Sequence, residues 1–233
     1  MPYPVAHAAA AIALAPLLGR AAVPSALVIG TVVPDAWYLL PLVERSDSHT
    51  VAGLFFFCLP IGLLLYVAFH LAKHPLLALV PEPLAGRLAA FTTPDLPRTS
   101  WLAVALCIVA GAWTHAIWDD FTGDEDYGRI VRHASTLLGG AFVVAWTWRK
   151  LQRVRPAALP ERFILSPGAR RRLLHLVFGC AALAALASAL AALPSLPPSG
   201  YESARLLART AGIDAVSVMV WLLACYGLLR RLR

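Results

Sequence analysis

Five apolar stretches, residues 51–71, 101–121, 134–148, 173–193 and 211–229, constrain this chain more than anything else in it. A helix rises 1.5 Å per residue, so roughly 20 apolar residues carry it across a hydrocarbon core of about 30 Å. In lipid every backbone amide must find its partner inside the segment, which leaves helices as the structure for such runs. The composition agrees: 59% of residues are apolar and 14% charged, against roughly 45–50% and 25% in soluble chains. A net charge of +7 would ordinarily raise nucleic acid as a partner. Here the basic residues sit in short runs flanking apolar segments, the pattern of membrane-span flanks, so nucleic acid is set aside. The expectation is an all-α, polytopic integral membrane helical bundle, one domain over 1–233, with about five full spans.

Ahead of those spans lie two shorter apolar runs, 5–18 and 21–33, parted by Arg20 and Pro24. Each makes about 20 Å of helix, too little to cross. They predict an N-terminal helical hairpin, short or re-entrant, that returns the chain to the side it left. No basic flank or cleavage site marks a signal peptide, so the N-terminus reads as mature protein. The run Arg149, Lys150, Arg153, Arg155, Arg162, Arg170, Arg171, Arg172 places its loop in the cytoplasm, as does the Arg230-Arg231-Leu232-Arg233 tail. By alternation, His7, Asp35, His49, His115 and Asp119 all fall on the outer face. His70, Lys73 and His74 then read as interfacial residues on the opposite side, and residues 76–100 as a proline-rich loop or surface segment. Pro60 reads as a kink, and Asp214 as an acid near a helix N-terminus. Trp37, Trp101, Trp113 and Trp118 read as interface anchors. The four cysteines, one per apolar segment, read as packing residues.

His115 and Asp119 stand four residues apart, on one face of a helix, within reach of a shared ion. An imidazole and a carboxylate inside a bilayer-length helix demand partners or a purpose. His7, Asp35 and His49 supply candidates, and the five together read as divalent-metal ligands. Histidine and aspartate donors without thiolate fit zinc best and also admit magnesium or manganese. An open coordination position would hold a water made acidic by the metal, a hydroxide source near neutral pH. Asp119 and Asp120 are the candidate catalytic carboxylates, Asp120 as a spare base or orienting group. The competing structural explanation is a buried histidine–carboxylate cluster that locks helices together in a non-enzymatic membrane scaffold.

His7, Val33-Pro34-Asp35, Ser48-His49-Thr50 ahead of an apolar span, and His115-Ala-Ile-Trp-Asp119-Asp-Phe-Thr122 together resemble domain-of-unknown-function family 4184 of bacterial membrane proteins. The resemblance runs through Ser135-Thr-Leu-Leu-Gly139. More remotely, the same elements are similar to membrane-bound metal-dependent hydrolases. That similarity implies hydrolysis at a metal centre and a place in the bacterial cytoplasmic membrane; the nearer family implies no activity. One departure is Gly123, where the pattern tends to carry a histidine after Phe-Thr, with Asp124 as the available substitute. The substrate expected is a lipid-borne ester or phosphoester, with membrane lipid as the surrounding partner. An alternative of another class comes from Asp119-Asp120-Phe-Thr-Gly-Asp124, which resembles the aspartate-rich elements of prenyltransferases and terpene cyclases that hold magnesium and diphosphate. Its spacing is one residue too long, and a second such helix is lacking.

Overall fold

The computed structural model describes residues 4–39, 45–91, 99–122 and 128–232, and every regular element among them is helical. Asp124 and Gly123 lie outside the described residues. In chain order the α-helices are α1 (Pro4–Leu18), α2 (Pro24–Gly30), α3 (Arg45–Ser48), α4 (Val51–Leu77, with a π turn at Leu54–Cys58), α5 (Leu84–Ala89), α6 (Trp101–Phe121), α7 (Gly128–Gln152), α8 (Pro167–Ala192) and α9 (Gly200–Leu232). Among the described residues four helices are long and apolar enough to cross a membrane: α4, α6, α8 with the turn that follows it, and α9. The protein is thus an all-α polytopic membrane protein. The fifth expected span, 134–148, is the middle of α7. That helix is 25 residues long but is not among the four, because Arg132 and His133 at one end and Arg149 and Lys150 at the other cut its apolar stretch short.

The chain groups into two compact units, residues 1–70 with 95–155, and residues 71–94 with 156–233. The first holds the N-terminal hairpin. Gly19, at φ +53°, turns the chain between α1 and α2 in the left-handed region that glycine tolerates. Pro24 opens α2 at a position where no amide donor is lost. Beyond α2 the chain tightens into a 3-10 helix, Val33–Tyr38, with Pro34 in its first turn. The core gathers around α2: Ala26 and Leu27 are fully buried with Ala11, Val23, Tyr66, Val104, Cys107 and Ile108, while Val33 and Ala36 pack with Leu54, Phe57, Cys58 and Ala112.

Lipid tails are as apolar as these side chains, so close contact rather than water expulsion drives helix association, and small residues permit it. Gly30 and Gly111 do so here. A Cβ on Gly30 would run into the carbonyl oxygen of Ile108, and one on Gly111 into the carbonyl of Leu27 with Thr31 N at 2.9 Å. α2 therefore rests backbone to backbone on α6. Within α4, Pro60 lacks the amide that would bind the carbonyl four residues earlier. The wide π turn just before it reroutes the ladder, with Leu59 N donating to Leu54 O.

In the second unit α8 and α9 pack against each other, and Gly227 of α9 lies against Ala72. Lys73 and His74 are buried, as is His70 in the first unit, where Ser25 Oγ lies 3.0 Å from its Nε2. Two readings from sequence change. Residues 84–89 are helical and half of them buried, because Ala157 N docks on the Gly86 carbonyl. Asp214 is far from a helix start, since α9 begins at Gly200, and it accepts a hydrogen bond from Ser188.

The glycine crossing can be tested directly. Gly111→Ala should cost roughly 1–3 kcal/mol by overpacking and lower the thermal midpoint in detergent. Gly140→Ala, at a site with nothing within 4 Å of an added Cβ, should be neutral or gain up to about 1 kcal/mol from helix propensity.

Candidate metal centre

Four elements of the first unit converge on one point. α6 brings His115, fully buried, and Asp119, 7% exposed, one turn apart on its inner face. Because α2 sits so close on Gly111, the Thr31 carbonyl at its end reaches His115 and accepts from Nδ1 at 2.8 Å. The 3-10 helix that follows carries buried Asp35, whose Oδ1 lies 3.9 Å from His115 Nε2. α1 lays His7 on top, its ring stacked on that of His115 at 4.0 Å and 20°.

The fourth element is Ser48-His49-Thr50, in which each residue has a separate task. Thr50 caps α4, its hydroxyl accepting from Gly53 N at 2.9 Å and donating to Asp47 O at 2.8 Å. Buried Ser48 donates to the Pro34 carbonyl at 3.0 Å, which ties this turn to the Pro34-Asp35 turn. Cys58, at the π turn, donates to the Ser48 carbonyl. His49, between them, is aimed at the cluster.

Those contacts assign the tautomers. His115 Nδ1 faces a carbonyl and must carry the proton. Ser48 has its one hydroxyl proton on Pro34 O, so its 2.9 Å contact with His49 Nδ1 requires Nδ1–H there as well. Their Nε2 atoms lie 3.3 Å apart. Asp119 Oδ2 lies 3.5 Å from His49 Nε2 and 3.7 Å from His115 Nε2, and its Oδ1 lies 3.6 Å from His7 Nε2. Burial, reinforced by the neighbouring His115, pushes His7 down to about 4 against the pull of Asp119, so His7 is neutral near pH 7.

Two uses of the cluster differ in spacing. Hydrogen bonds between such atoms run about 2.7–3.2 Å. Ligands held 2.0–2.2 Å from a tetrahedral ion stand about 3.3–3.6 Å apart. The His49–His115–Asp119 triangle has edges of 3.3, 3.5 and 3.7 Å, closer to the second spacing than to the first. Two sets, His7–His115–Asp119 and Asp35–His49–His115, have donor atoms all within 4.8 Å of one another. The donors are three imidazoles and two carboxylates, hard to borderline ligands that suit zinc or manganese.

All five residues singled out in the sequence as ligands are thus brought together. Asp120 is not among them. It points away from the cluster's interior, exposed, onto a cleft of about 450 Å³ lined by His49, Val51, Leu54, Trp113, Ala116, Ile117, Asp119 and Asp120. His49 and Asp119 form the cleft's contact with the centre, which leaves one side of the triangle approachable. The orienting roles of Ser48 and the Thr31 carbonyl were not singled out from the sequence. Gly111, one turn before His115, is the signal that could have marked the close approach of a second backbone there.

A profile of the family described as domain of unknown function (DUF4184) matches residues 1–128. The chain belongs to that family. The match covers all five clustered residues and ends where α7 begins. No curated protein and no solved structure matches the chain.

Partners that orient metal-binding histidines typically contribute 10–100-fold in metal affinity. Ser48→Ala should therefore weaken divalent-metal binding by about that factor, read by competition with a chromophoric chelator. Thr50→Ala, which touches only the cap, should lower thermal stability by about 1 kcal/mol and leave metal affinity nearly unchanged.

Proposed function

We propose that His7, Asp35, His49, His115 and Asp119 hold a divalent metal, zinc in preference to manganese or magnesium, and that the protein is a membrane-embedded metal-dependent hydrolase. Its substrate is an ester or phosphoester carried by a membrane lipid. The observation that carries this reading is the His49–His115–Asp119 triangle: three lone-pair donors at ligand spacing, buried on one side and opening on a cleft on the other. A metal there would lower the pKa of a bound water and supply hydroxide near neutral pH. The residues of the chain do the rest. Ser48 and the Thr31 carbonyl hold the imidazoles in the required tautomer. Asp120, on the cleft wall, is placed to carry the water's proton.

The arginine and lysine flanks support a bacterial cytoplasmic membrane location, with the centre toward the outer face and the C-terminus in the cytoplasm. Magnesium and diphosphate chemistry has less support. It needs Asp119 and Asp120 presented side by side, whereas Asp119 is turned into the histidines and Asp120 out to the cleft. A purely structural cluster has less support because the histidine–aspartate separations of 3.5–3.9 Å are longer than hydrogen bonds.

Elemental analysis of detergent-purified protein tests the reading. Wild type should carry close to one metal per chain, and His115→Ala and Asp119→Ala should each lose most of it. Absence of metal in wild type after dialysis against zinc, with the variants changed only in thermal stability, would establish the structural cluster instead.

A further inference from the structure

The charges around the cleft narrow the substrate further, if the centre holds metal as proposed above. Two positive charges from a divalent ion would be met by Asp35 and Asp119, and an imidazole that binds a metal does so as a neutral donor. The centre is then close to electroneutral before any substrate arrives. The cleft adds Asp120, and no lysine or arginine is among its described lining residues. Sites that handle phosphoryl groups depend on arginine, lysine or additional metal ions to meet a charge already present in the bound substrate. No such side chain is among the described residues of this wall. A carboxylic ester enters uncharged, and its negative charge develops only in the transition state, at the oxygen nearest the metal.

The apolar part of the lining points the same way. Val51, Trp113 and Ile117 are 63%, 45% and 56% exposed, and all three lie on α4 or α6, the two helices of this unit long enough to cross a membrane. The cleft wall therefore meets lipid, and an amphiphile can slide in sideways with its tail along Val51, Ile117 and Trp113 and its head at His49 and Asp119. Complementarity of charge and of polarity selects one occupant. We infer that the cleft takes an uncharged acyl-ester lipid, in preference to any phosphate-headed lipid, and cleaves its carboxylic ester.

The step balances with water alone. A water acidified by the metal that these residues would hold would give a proton to Asp120 as its oxygen forms a bond to the ester carbonyl carbon. The bond from that carbon to the alcohol oxygen then breaks, its electron pair leaving on the alcohol. The proton held by Asp120 moves to it, so one water is consumed and a fatty acid and an alcohol are released.

The test uses the full chain, zinc-loaded, in phosphatidylcholine vesicles doped with equal amounts of diacylglycerol and phosphatidic acid whose acyl chains carry different isotopes. Labelled fatty acid should appear from diacylglycerol at least ten times faster than from phosphatidic acid, with no inorganic phosphate. Ala116→Trp, which narrows the cleft, should slow release at least tenfold with zinc retained. Release of phosphate, equal cleavage of both lipids, or no fatty acid from stoichiometrically loaded protein would each overturn the inference and leave the metal centre standing. Failure to bind zinc at all would remove the centre and this inference with it.

Discussion

Three imidazoles and two carboxylates cannot be gathered away from water unless protons or a cation are shared among them. His49 and His115 present Nε2 atoms 3.3 Å apart, and Asp119 adds carboxylate oxygens at 3.5 and 3.7 Å. Each group alone would cost several kcal/mol to hold away from water, and the cost is greater in a segment built to lie in lipid. A proton can join one pair of them, whereas a divalent ion joins all of them, and the spacing matches the edges of its coordination shell. The rest of the first unit can be understood as the frame that makes such a cluster tolerable.

That frame is mostly backbone. Gly30 and Gly111 remove two side chains so that α2 lies directly on α6, and only then does the Thr31 carbonyl reach His115. The chain continues without a break into the 3-10 turn that carries Asp35. Ser48 clamps the His49 turn to the Pro34 carbonyl, and the π turn sets Cys58 against the Ser48 carbonyl. His115 is therefore fixed through a main-chain carbonyl of a neighbouring segment, and His49 through a hydroxyl that is itself anchored on the main chain at Pro34.

Much of this was legible in the sequence, for physical reasons. Apolar run length gave the membrane class, because hydrocarbon thickness leaves little choice of element. The four-residue spacing of His115 and Asp119 gave a shared face, because helix geometry is fixed. Pro34-Asp35 and Ser48-His49 were singled out because polar residues stand out against an apolar background. What stayed hidden depends on contacts distant in sequence. Neither Ser48's bond to Pro34 nor the α2–α6 crossing follows from local pattern. The burial of Lys73, His74 and His70 was not legible, since position along a helix says nothing of what packs beside it. The 134–148 run was counted as a span on its apolarity, though the charges at both ends of α7 shorten its apolar length.

X-ray absorption at the zinc edge of the purified, zinc-loaded protein measures the central claim most directly. The account predicts a first shell of nitrogen and oxygen alone at about 2.0–2.2 Å, with the outer-shell scattering of two or more imidazoles, and loss of part of that signal in His49→Ala. A sulfur shell near 2.3 Å, or a spectrum identical to zinc in buffer, would contradict it.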